Sequence, residues 1–258
     1  MITVPELAAD ALGKFLANYM RRRFGSSQTH LVEMVPSIAR IAIECIGNSD
    51  ALYHNVEHTM LVTMAGHDIL RGRALHSHMP AEDYAHVMIA CLTHDIGYVR
   101  GLFKADDKDG YVVDPSGRKV ALPRGASDAS LMPYHVDRSK MFVMERIEGI
   151  AQLDKSRIAR AVEGTRFPPS IPSEAEEDDE EAALLRAADL IGQLGDPLYP
   201  RKANALFYEF EELGSNRQLP SHRIEPRERL QILRRCHPVS KAPVLGRMCR
   251  NLQERPCS

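Results

Sequence analysis

The stretch Ala85–Tyr98, AHVMIACLTHDIGY, sets the strongest constraint on how this chain can fold. It reads as an apolar helix that delivers His94 and Asp95 side by side at its end. A buried imidazole next to a buried carboxylate is costly unless something pairs with both. A divalent cation would do so, and the rest of the chain can be searched for its other ligands.

The surrounding pattern is helical. Leu7, Ala8, Ala11, Leu12, Phe15, Leu16 and Tyr19 recur with a period near 3.6, between Pro5 and Gly25. Leu31–Ile46 repeats that pattern, Asn55 to about Leu75 predicts a third helix, and Pro80–Asp95 a fourth. None of them alternates with period 2. Between Arg100 and Pro133 the helical period is lost. There Asp114-Pro115-Ser116-Gly117 separates Tyr111–Val113 from Lys119–Leu122, which predicts a β-hairpin inside an insertion. Helical pattern resumes over His135–Ile150, over Asp154–Gly164 with Asp154 as cap, through Ala182–Gly195, and over Leu198–Leu213. Phe167–Pro172 is a break. Glu174–Glu181 holds seven acidic residues in eight, suited to a solvated helix N-terminus. The expected class is therefore all-α, with one domain over 1–214 carrying an insertion at 100–133. From 215 to 258 there are ten Lys/Arg against three Asp/Glu, so a basic, weakly structured tail is expected.

Composition closes off some function classes. The net charge of -2 offers no global basic field, which makes a nucleic-acid partner unexpected. No apolar run approaches the roughly 18 residues of a membrane span, and Met1–Asp10 has no signal-peptide pattern. The five cysteines (Cys45, Cys91, Cys236, Cys249, Cys257) form no CxxC. Cys45 and Cys91 fall on apolar helical faces and read as buried thiols, so a reducing cytoplasm is the expected compartment.

The ligand search returns His54 and His58 in YHNVEH, four residues apart and about 6 Å apart along a helix axis. It also returns Asp189, a carboxylate among Leu185, Ala188, Leu190 and Ile191, all of which favour burial. Imidazole plus carboxylate donors suit Zn, Mn, Fe or Mg. His135, Glu163 and Arg138 lie in the interval between the doublet and Asp189. The two acid–base residues are candidates for a second ion or for substrate, and Arg138 for a phosphate. Each also has a plain reading as an ordinary helix-end or surface side chain. Arg118, Lys119 and Arg124 are either a basic lid or ordinary loop charges.

The order HNxxH, THDIG, AADL resembles the HD superfamily of metal-dependent phosphohydrolases over about Leu31–Glu212. The resemblance implies an HD-domain helical bundle in which His58, His94, Asp95 and Asp189 hold one or two divalent ions. YHNVEH is similar to the corresponding motif of cyclic-nucleotide phosphodiesterases. That likeness implies His54 as the general acid and Asp95 as a metal bridge that helps hold the attacking hydroxide. Those enzymes continue HDxxH, where this chain has Tyr98. The implied activity is hydrolysis of a small phosphorylated substrate such as a nucleotide. The alternatives are a di-iron oxygenase of the same superfamily, which would need His135 and Glu163 as ligands, and a non-catalytic nucleotide sensor. A homo-oligomer is left open.

Overall fold

The computed structural model describes residues 2–25, 29–150, 152–166 and 179–214. The expected break at 167–172, the acidic run as far as Asp178, the tail 215–258 and Cys236, Cys249 and Cys257 lie outside the described residues. The helices are α1 (Val4–Phe24), α2 (Thr29–Ile46), α3 (Val56–Arg73), α4 (Ala81–Thr93), α5 (His135–Arg146), α6 (Lys155–Glu163), α7 (Glu180–Leu194) and α8 (Tyr199–Glu212). The chain divides into two compact units, Met1–Asp196 and Pro197–Ser258. This groups α8 with the second unit, and the expected boundary at 214 falls inside it. No helix among the described residues is long and apolar enough to cross a membrane.

In the first unit α4 is the central element. It packs on α2, α3, α6 and α7, and every residue from Tyr84 to Thr93 is buried. A helix apolar on all sides has no face to give to water. Burying Met88, Ile89 and Leu92 contributes roughly 1.5–3 kcal/mol each. The other helices start and stop where local chemistry directs. Thr3 and Glu6 form a reciprocal cap at the start of α1, and Gly25 ends it at φ 70°. The Asp154 carboxylate accepts the N–H groups of Ser156 and Arg157, as the cap expected from sequence. Arg157 then joins three elements by donating to Glu181 and Asp83.

The insertion contains the expected hairpin, short and antiparallel, with Tyr111 opposite Val120 and Val112 opposite Lys119. It also contains a 3-10 helix, Asp128–Tyr134, that the lost periodicity did not predict. Three residues per turn cannot produce the 3.6 pattern. Arg118 and Lys119 pair with Asp114 and Asp107 of the same insertion, as ordinary loop charges do.

Candidate metal centre

Helix α4 stops at Thr93, two residues short of the expected end. Asp95 lies in a link to a 3-10 turn, Ile96–Tyr98. That turn is clamped from α5. The Ser139 hydroxyl donates to the His94 carbonyl (2.7 Å) and accepts the Gly97 N–H (2.9 Å). Arg138 donates to the carbonyls of Gly97 (2.7 Å) and Val99 (2.7 Å). A Cβ on residue 97 would lie 1.9 Å from the His135 carbonyl oxygen, so only glycine permits this approach. The effect is to hold His94 and Asp95 at the exit of the central helix.

His58 comes from the first turn of α3. Here the sequence expectation needs correction: His54 is not on that helix. The Asn55 side chain accepts the N–H groups of Glu57 and His58, which makes Asn55 the cap and leaves His54 in the preceding loop. The two imidazoles remain close, with ring centroids 5.6 Å apart. Asp189 arrives on α7. Gly192, one turn further on, lets α7 approach so closely that a Cβ there would lie 2.8 Å from the Val62 nitrogen, one turn after His58.

The donor atoms converge. Those of His58, His94 and Asp95 all lie within 4.8 Å of one another, and all three residues are buried. His58 Nε2 is 3.3 Å from Asp95 Oδ2 and 3.3 Å from Asp189 Oδ1. His94 Nε2 is 3.1 Å from Asp95 Oδ2 and 4.0 Å from Asp189 Oδ1. His94 Nδ1 is 2.9 Å from the Cys91 carbonyl. A carbonyl only accepts, so Nδ1 carries a proton and Nε2 is the nitrogen that faces Asp95 and would bind a metal once deprotonated. Yet His94 Nε2 and Asp95 Oδ2 are buried without a hydrogen-bond partner, as is His58 Nδ1. A buried polar atom left so is costly unless a partner is supplied. An ion between the two imidazoles and the carboxylates would satisfy His94 Nε2 and Asp95 Oδ2 together, so the residues fit a divalent metal.

Electrostatics point the same way. Burial alone would push His58 down, but the Asp189 and Asp95 carboxylates override it and hold its pKa up at about 10. His94 is raised against its burial by the Asp95 charge. Burial would raise Asp95 and Asp189, but the imidazoles hold both below the usual carboxylate range, Asp95 the further. Without metal, protons on imidazole balance the two carboxylates. A cation would take over that charge.

The sequence matches one family over residues 2–230. The chain belongs to the Npun_R2479-like family. No curated protein and no solved structure matches it.

Around the centre of this Npun_R2479-like chain, the other sequence candidates divide. His135 reaches the edge of the group, its Nε2 3.8 Å from Asp95 Oδ1 and its Nδ1 2.6 Å from the Met132 carbonyl. Burial lowers its pKa. Arg138 is not a phosphate contact. It is fully buried, and all its N–H groups are spent on the carbonyls of Gly97, Val99 and Val112 and on Asp106. Glu163 is not in the group either. Its oxygens accept from Lys140 (2.7 Å) and Arg166, and those cations hold its pKa down against burial. Sequence reasoning missed Ser139 as a clamp. It also read Tyr98 only as a departure from a motif. The phenol ring stacks on both His54 and His135, and no spacing rule signals such a contact.

Proposed function

We propose that this chain is a metal-dependent phosphohydrolase of the HD-domain type, cleaving a phosphodiester such as a cyclic nucleotide. One observation carries the reading: two buried imidazoles and a buried carboxylate converge with His94 Nε2 and Asp95 Oδ2 unpartnered. His58, His94, Asp95 and Asp189 would hold the ion. A divalent ion there supplies Lewis acidity and a water acidic enough to ionise near neutrality.

The chain's own residues do the rest. Asp95 and Asp189 supply the negative charge that keeps a cation in place. His54, half-buried where His58 and His94 are buried, is the imidazole with a route to substrate. Imidazole is the side chain most often used as a general acid, and that is the role assigned to His54, as proton donor to the leaving oxygen. The Tyr98 ring, 4.5 Å away and nearly parallel, holds that imidazole in orientation. The di-iron alternative loses support, since Glu163 is engaged by Lys140 and Arg166.

The test is turnover by purified protein with Mn, Mg, Zn or Fe. The panel is cyclic nucleotides, dinucleotides, nucleotides and generic phosphodiesters. His54→Ala is expected to lower turnover by about 10²–10⁴-fold, the usual contribution of a general acid, while retaining metal. A panel left untouched with every metal would sink the reading, and unchanged turnover in His54→Ala would remove His54 from its role.

A further inference from the structure

Tyr98 is buried, with 1% of its surface exposed. Its ring lies 4.5 Å from the His54 ring with 15° between planes, and 4.4 Å from the His135 ring with 20° between planes. One face of a phenol has room for one ring at that distance, so the two imidazoles take opposite faces. Two nitrogens on one ion each sit about 2.0–2.1 Å from it, and so lie within about 4 Å of each other. Imidazoles with a phenol between them cannot meet that condition.

Asp95 makes the point relevant. Its Oδ2 faces His58 and His94, and its Oδ1 faces His135. A bridging carboxylate is the expected start of a two-ion centre, and the second ion would sit on the Oδ1 side. There it would find His135 but not His54, which is across the phenol. It would not find Glu163, whose oxygens accept from Lys140 and Arg166. Among the described residues, that leaves one imidazole and one carboxylate oxygen, a thin ligand set for an ion that competes with water.

We infer that the centre takes a single divalent ion, on the His58–His94–Asp189 side of Asp95, and that Tyr98 limits it to one by keeping His54 and His135 apart. The inference rests on the metal reading above and narrows it: His54 stays off the metal.

The experiment counts ions. Full-length protein stripped of metal is dialysed against Mn(II), the bound metal per chain is measured by elemental analysis, and the Mn(II) spectrum is recorded by electron paramagnetic resonance. One ion per chain with an uncoupled spectrum is expected. His135→Ala should leave that stoichiometry at one, and His94→Ala should reduce it toward zero. Tyr98→His replaces the spacer with a donor and should raise the count to two, with a spectrum showing coupled ions. Two ions in the unaltered chain, or a loss of metal in His135→Ala, would overturn the single-ion inference and leave the metal reading standing. A folded Tyr98→His protein still at one ion would overturn the role given to Tyr98. No bound ion in the unaltered chain would remove both the inference and the reading beneath it.

Discussion

Ser139 never touches the converging donors, yet its hydroxyl serves two buried backbone groups of the turn that presents them, the His94 carbonyl and the Gly97 N–H. Ser139→Ala strands both. An unsatisfied buried group costs about 1–3 kcal/mol, so for two groups urea unfolding should show a loss of about 2–6 kcal/mol. Gly97→Ala should be worse, because the added Cβ meets the backbone oxygen of His135 at 1.9 Å and backbone cannot swing aside. A loss above about 4 kcal/mol, or no folded protein, is expected. An alanine variant within about 1 kcal/mol of the original would refute the packing of this turn on α5. The convergence of His58, His94, Asp95 and Asp189 was legible in the sequence because they are polar groups set among positions that favour burial. Arg138 was not. A sequence displays a guanidinium but not its acceptors, which here come from 26 to 41 residues away.

Helices α3 and α7 meet where one carries His58 and the other Asp189, and the depth of that contact decides whether Asp189 reaches His58. Gly192 sets the depth. Gly192→Ala places a Cβ 2.8 Å from the Val62 nitrogen and 3.0 Å from its Cα, so α7 must retreat. Overpacking of this kind costs about 1–3 kcal/mol, and moving Asp189 away should also weaken metal binding, measurable by titration calorimetry. Gly72→Ala is the control. It lies on α3 with nothing within 4 Å of its added Cβ, and should stabilise by up to about 1 kcal/mol with metal affinity unchanged. Equal effects of the two changes would mean that the α3–α7 approach does not govern the site. The helices themselves were readable because apolar residues recur at 3.6, and the hairpin because Asp114–Gly117 is a strong turn. The start of α3 was read to within one residue, but the helical placing of His54 was not correct. Asn55 caps with its side chain, which places His54 before the helix, and apolar periodicity carries no information about which residue caps.

At the scale of the whole molecule, the proposed metal site would couple stability to pH and to metal. Its His58 pKa stands at about 10 in the folded chain against an ordinary 6.5. A group raised on folding contributes stability that is fully present below its unfolded pKa and is lost as pH rises through the folded one. Metal-free protein should therefore lose stability progressively from about pH 6.5 toward pH 10. Metal has the opposite dependence, because an ion must displace the proton from His58, and from His94, whose pKa is also raised. Its affinity rises with pH over the same window, and so does the stabilisation it gives by binding only the folded state. The gap in melting temperature between metal-loaded and metal-free protein should widen from pH 6 to pH 8.5 at fixed free metal, as read by calorimetry. Titration at pH 7 in two buffers of different protonation enthalpy should register one to two protons released per ion bound. A gap that narrows with rising pH, or binding that releases no protons, would mean that the imidazoles do not hold the ion.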